Sequence, residues 1–289
     1  MWGQWRGDIL GAKSGKQHAI VNIDIDRPTD AAVHVTGEDG GIFFARLDGR
    51  GAIAGRVVDC CRGSCGEPRF KSIDGDISGS LDANGFLEGK WSTPFDQGSF
   101  TLTRRDTAQS ATRRGTHLSW SSFKKMVVTT VERHSVIWRG QSTTLWPLRT
   151  SLHRKHCFDL WNYSRSSVPL LHSAIEDTVS ERFDLADARQ HGQVIDVARH
   201  HGFPAPIVDF TRSPLVAAYF AFKNVPGNPK AKDRVRIFKL DEKAVPRPNS
   251  TIFLHEFVPT VATLQLPPYR NPRSAQQMSL YVFSNVRVR

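Results

Sequence analysis

With 289 residues, 39% of them hydrophobic and 23% charged, the chain is long enough for one large domain or two ordinary ones and has the composition of a folded protein rather than a disordered one. It holds no run of about 20 apolar residues, the length a membrane-spanning helix needs, and its start, Met-Trp-Gly-Gln-Trp-Arg, lacks the apolar core of a signal peptide. A cytosolic protein with no membrane segment is therefore expected. The net charge of +11 is unevenly spread: residues 1–103 carry 11 basic and 14 acidic residues, residues 119–289 carry 24 and 13. The basic part suits a polyanionic partner, either nucleic acid or the phosphates of a small ligand, or else a solvated basic surface.

The first hundred residues read as β-structure. Strand-like runs recur at 18–25 (HAIVNIDI), 32–36, 41–45, 52–58 and 99–103, and turn signals stand between them at Gly37-Glu-Asp-Gly40, Asp48-Gly49, Asp74-Gly75 and Asn84-Gly85. This spacing predicts a small all-β sandwich or barrel over residues 1–103. Asn84-Gly85, before the strand 86–91, predicts a type I′ hairpin turn. Cys60, Cys61 and Cys65 lack the paired spacing of a zinc site, and Cys157 stands far from them, so no metal is expected.

Arg104 to Thr116 (RRDTAQSATRRGT) is polar, small and basic without apolar periodicity, and a linker over 104–118 is expected. Residues 119–289 then mix elements. A helix opens near Ser119, capped by Ser121 or Ser122, with Phe123, Val127, Thr130 and Val131 on one face. A short strand follows at 135–139. A helical stretch is expected between Cys157 and Gln190, interrupted near Pro169. An apolar helix runs over 214–223, with Pro214 in its first turn and Ser213 as its cap. Strands are expected at 235–240, 251–255 and 280–283. The whole is α+β.

Three clusters in this second part carry chemistry: Trp138-Arg139-Gly140-Gln141, followed by Trp146-Pro-Leu-Arg149; His200-His201-Gly202-Phe-Pro204, followed by Asp209-Phe-Thr211-Arg-Ser213-Pro-Leu; and Arg273-Ser-Ala-Gln-Gln277-Met-Ser279-Leu-Tyr281. Together, in this order, they resemble the FRG domain, named for a Phe-Arg-Gly triplet whose Phe is here Trp138. In the late element Ser279 and Tyr281 stand where the family has Gly and Phe. The resemblance spans roughly Ser119 to Arg289 and implies a mixed α/β FRG domain.

The motif order is similar to that of ADP-ribosyltransferases, and this similarity implies NAD as the substrate. Arg139, Ser213 and Gln277 take the catalytic positions. Arg139, Gly140, Gln141, His201, Asp209, Thr211 and Ser213 surround the cofactor. The chemistry fits those residue types. Arg139 can hold a phosphate through a charge-assisted pair of hydrogen bonds. Gly140 lets backbone approach a ligand, and Ser213 at a helix start can bond a ribose or amide. Gln277 can hold a ribose hydroxyl but has no charge with which to stabilise a cationic sugar. Asp209 or Glu256 is then the candidate carboxylate.

Domains of this kind suit bacterial toxin and anti-phage defence systems, in which the β-domain would sense a ligand or restrain the other half. A module that binds nucleic acid or nucleotide without turnover, and an interaction scaffold, are the alternatives. At the level of residues, Arg139 serves equally as an ion-pair partner of Asp209. One of His200 and His201 contacts a ligand while the other packs. Asp209-Phe-Thr211 can cap the following helix, and Tyr219, Phe220 and Phe222 read as core.

Overall fold

A computed structural model describes residues 2–36, 41–47, 52–62, 69–104, 115–130, 135–179, 182–225, 234–245, 260–265 and 277–284. The first half is one closed, antiparallel, up-and-down barrel: β1 (Gly3–Gly11), β2 (Gly15–Ile23), β3 (Asp30–Thr36), β4 (Gly41–Leu47), β5 (Ala52–Arg62), β6 (Arg69–Leu81), β7 (Phe86–Ser92) and β8 (Gln97–Arg104). β8 pairs back onto β1, from Trp5↔Arg104 to Gly11↔Gly98, so no strand edge is left open. Of the two architectures expected, the barrel is the one present.

Period-two patterning explains it. Trp5, Ala19, Val21, Ile23, Ala31, Val33, Val35, Leu87, Phe100 and Leu102 alternate along their strands and form one buried cluster. β1 and β6 escape the sequence reading because glycine and polar residues interrupt their alternation. The Asp74-Gly75 signal lies inside β6 rather than at a turn. Gly75 is needed there because a Cβ would sit 2.5 Å from the Ser92 carbonyl.

The β6–β7 hairpin is real, but its turn is not type I′: only Gly85 has positive φ, at 84°. The Asp82 carboxylate accepts from the backbone N–H of Asn84 and of Phe86, which closes the loop without demanding a left-handed Asn84. The turn signals at 37–40 and 48–49, Cys65 and most of the linker (105–114) lie outside the described residues, as do the side chains of Cys60 and Cys61.

The second half opens with α1 (Trp120–Thr130). Ser119, not Ser121 or Ser122, caps it, its hydroxyl accepting from Ser122 N–H at 3.2 Å. Phe123 and Val127 are buried as the helical pattern requires. The side chain of Thr130 and the whole of Val131 lie outside the described residues. The elements that follow are β9 (Val136–Gln141), α2 (Ser151–Arg154), α3 (Leu160–Asn162), a π-helical turn (Tyr163–Ser167), α4 (Val168–Val179), α5 (Ala188–His200), β10 (Ile207–Thr211), α6 (Pro214–Phe222), β11 (Arg236–Asp241), β12 (Val261–Leu264) and β13 (Ser279–Ser284).

The π turn just before Pro169 is the interruption expected there. α5, β10 and β12 were not read from sequence, and the strand expected at 251–255 lies outside the described residues. Asp209-Phe-Thr211 belongs to β10; the helix after it is capped by Ser213, whose Oγ accepts from Val216 N–H at 3.3 Å.

The five strands form one antiparallel sheet in the order β11-β9-β10-β13-β12. α6 packs directly on β9. A Cβ on Gly140 would lie 1.9 Å from the Ala217 carbonyl and 2.7 Å from Ala221 N, so glycine on the strand and alanine on the helix let the two backbones approach. This geometry overturns the expected core placement of the α6 aromatics. Ala217, Ala218 and Ala221 fill the buried side, and Tyr219, Phe220 and Phe222 face outward.

The barrel and the second half touch through the β2–β3 connection and β4. Asp24 accepts from the backbone N–H groups of Phe158 and Asp159, Arg27 donates to Asn162 Oδ1 at 2.6 Å, and Phe44 packs on Trp161. Among the described residues no helix is long and apolar enough to cross a membrane.

Candidate functional site

β9 and β10 pair at a single position, Trp138↔Thr211. Beyond it the strands separate, and the gap is a cavity of about 390 Å³ lined by Arg139, Gly140 and Gln141 from β9, Asp209 and Thr211 from β10, Arg154, Arg199 and His200 from the helices, and Gln277 from the turn before β13. Trp146 and Phe220 contribute aromatic walls. Three residue groups far apart in sequence thus meet in one place, with three guanidinium groups and one carboxylate, Asp209, on the cavity wall.

Arg139 bridges the gap. Its guanidinium donates to the Asp209 carbonyl at 2.7 Å and lies 3.7 Å from the Asp209 carboxylate. Arg199 takes the other carboxylate oxygen at 2.8 Å. Asp209 therefore holds two arginines side by side, and the ion-pair reading of Arg139 is part of the site rather than a rival to it.

Behind them Asp196, only 1% exposed, accepts from the Tyr281 hydroxyl at 2.7 Å and from Arg199 at 3.1 Å. The Arg199 guanidinium also lies over the Tyr281 ring. The two arginines respond differently to this setting. Burial lowers the pKa of Arg139, with Asp209 acting against that shift. Burial would lower that of Arg199 too, but Asp209, Tyr281 and Asp196 together raise it.

Several polar atoms here lack protein partners. The Nε atoms of Arg139 and Arg199 and the Oε1 of Gln141 are buried with no hydrogen-bond partner. Arg154 makes no ion pair among the described residues. The buried atoms among these are costly to leave unmet, and with Arg154 they offer donors suited to an anion and an acceptor suited to an amide or hydroxyl.

The residues expected from sequence divide. Arg139, Gly140, Gln141, Asp209, Thr211 and Gln277 line the cavity. Ser213 does not; its hydroxyl caps α6, and its own N–H is bound by Thr211 Oγ1 at 3.0 Å. His201 does not either: it is the exposed C-cap of α5, and His200 lines the cavity in its place. Burial, then Arg199, lowers the pKa of His200, which favours the neutral imidazole.

Gly140 answers to α6 rather than to a ligand, as the contact with Ala217 shows. Thr211 donates to the Gln277 carbonyl at 2.6 Å and so fixes the turn that carries Gln277. Glu256 and Arg273 lie outside the described residues. Sequence reading missed Arg154, Arg199 and Asp196. The last two stand at i and i+3 on α5, a pairing that would have been visible had the helix been read. Among the described residues no group of His, Cys, Asp or Glu is placed to hold a metal ion.

The strand-split antiparallel sheet, with paired arginines at the split, makes this half an α+β module. The FRG domain family model matches residues 134–229, so this part of the chain is an FRG domain. The match covers the first two motif clusters and ends before the third. Neither the curated proteins nor the solved structures contain a match to the chain.

Proposed function

We propose that the FRG domain takes NAD in the cavity between β9 and β10 and acts as an NAD-dependent ADP-ribosyltransferase-like effector. The observation that carries this reading is the arginine group at the sheet split, Arg139 and Arg199 clasped by Asp209 with Arg154 beside them. A pyrophosphate supplies the negative charge this group lacks, and guanidinium forks match phosphate oxygens. Trp146 and Phe220 offer faces to a flat ring, and Gln141 Oε1 offers an acceptor to a carboxamide or ribose hydroxyl.

In the reaction the bond between nicotinamide and ribose breaks and its electron pair leaves on the nicotinamide nitrogen. The cationic sugar then forms a bond to an acceptor nucleophile, which gives up a proton. Asp209 is the carboxylate that Gln277 does not supply. The domain's contribution is positioning and electrostatics.

A second reading, a nucleotide- or nucleic-acid-binding module without turnover, draws support from the same Asp209: two arginines already neutralise it, and Gln277 is uncharged. Incubation of the whole chain with NAD labelled in its adenylate part, with DNA, RNA or a protein extract as acceptor, separates the two. Nicotinamide release and label transfer that vanish in Asp209→Asn support the transferase. Saturable NAD binding by the folded chain without release supports the binding module.

A further inference from the structure

The barrel lumen is untouched by the FRG site and has its own chemistry. An eight-stranded barrel is just wide enough for side chains to fill, and folded interiors leave few voids larger than a water molecule. This lumen instead keeps a cavity of about 310 Å³.

Two features hold it open. Ala31 and Ala45, paired across β3 and β4, line it where larger residues would fill it. Phe100 lies against the wall: a Cβ on Gly89 would come within 2.4 Å of its ring, and one on Gly79 within 2.9 Å. These glycines pair across β6 and β7, so the ring occupies the space their missing side chains leave, and the described side chains leave the middle of the barrel open.

The deep lining is apolar, with Val21, Val33, Leu87 and Leu102 among it. Trp91 also lines it, and its indole Nε1, a donor only, is buried with no acceptor. One end carries a polar rim of Lys13, Ser14 and Thr93. There Asp96 ties the β1–β2 turn to the β7–β8 turn, accepting from Lys13 N–H, Ser14 N–H and Ser14 Oγ at 3.0, 3.0 and 2.7 Å. An apolar lumen, an unmet donor and a latched polar rim together describe a ligand site.

We propose that the barrel binds one compact, largely apolar small molecule whose hydrogen-bond acceptor takes the Trp91 indole N–H. At about 30 Å³ per water-sized group, the lumen holds a molecule of roughly ten to fifteen non-hydrogen atoms. Butylbenzene and butyrophenone share that size and shape and differ in one carbonyl acceptor. Calorimetric titration of the whole chain is expected to show both binding, one per chain. Ala45→Phe, which fills the lumen, is expected to weaken both at least tenfold while circular dichroism and melting show a folded protein.

Trp91→Phe is expected to weaken butyrophenone by about threefold to tenfold, the worth of one hydrogen bond, and to leave butylbenzene within about twofold. If Ala45→Phe does not fold, Val33→Phe takes its place. Failure of the folded wild-type chain to bind either probe, or binding that survives the filled lumen, overturns the site. Equal losses for the two probes in Trp91→Phe overturn the role of the indole.

Discussion

The barrel lumen and the gap at the sheet split hold cavities close in size, about 310 Å³ and about 390 Å³, and opposite in chemistry. The barrel hides its cavity behind a complete hydrogen-bond ladder, so the lumen needs only apolar side chains and small residues to stay open. The FRG cavity exists because two strands stop pairing. Backbone and side-chain polar groups released there must find partners, and arginine and aspartate supply them. Closure yields an apolar site; a broken ladder yields a charged one.

The largest effect that tests this contrast falls on Gly140. Gly140→Ala puts a methyl group into the Ala217 backbone and is expected to cost about 3 kcal/mol or more in denaturant unfolding. The open end of β9 relies on α6 staying close. A fully tolerated alanine would mean that α6 does not define the cavity.

Asp196→Ala comes next. It strips the Tyr281 hydroxyl and Arg199 of a buried acceptor and is expected to cost about 2–3 kcal/mol. It should also weaken ligand binding, because Arg199 loses one of its two carboxylate partners. Asp196→Asn, which keeps one acceptor oxygen, should recover part of both losses.

The contact between the two halves carries a pH dependence. Burial, and then the neighbouring Asp24, pushes the Asp159 pKa up from its ordinary 3.8 to about 7; burial raises that of Asp24 as well. Arg27 acts in the opposite direction on both. A raised carboxyl pKa means that the folded protein holds a proton the unfolded chain has already lost. The stabilisation is therefore whole below about pH 4 and falls as pH rises toward 7, above which it is spent. For these two groups alone, the melting temperature should decline from pH 5 to pH 8. Asp159→Asn should flatten that decline and raise stability at pH 8. An unchanged pH profile in Asp159→Asn would show that the carboxylate pair does not govern the contact.

The smallest expected effect is on the aromatic wall. Phe220→Ala should weaken binding of a nucleotide by about threefold to tenfold, the worth of one stacking face, with little change in stability, since the ring faces outward. A large loss of stability would instead return Phe220 to a packing role.

Much of this was legible in the sequence, and the remainder failed for identifiable reasons. The β-rich first half, the motif-bearing second half and the Pro214 helix with its Ser213 cap followed from residue types and spacing, and six of the cavity residues followed from the motif resemblance. β1 and β6 did not, because Gly7, Gly75 and Gly79 sit where strands cross closely and break the alternation. The aromatics of α6 misled because the helix is apolar all round, and only the tight fit against Gly140 selects its alanine side for burial. His200 and His201 could not be told apart without the end of α5, where one helical step turns one toward the cavity and leaves the other as the cap. Arg154 and Arg199 stand outside any motif, and only the folding of α2 and α5 around the split sheet brings them to the cavity.

The central claim is that the FRG cavity receives the phosphates of a nucleotide, and calorimetric titration of the whole chain with NAD tests it most directly, beside Arg154→Ala. Arg154 is exposed and makes no ion pair among the described residues, so its removal should leave the melting temperature unchanged. The account predicts one NAD per chain, weakened about tenfold to a hundredfold in Arg154→Ala, the worth of a charged hydrogen bond, and weakened further as salt rises. No binding by the folded wild-type chain, or equal affinity in the two proteins, would contradict it.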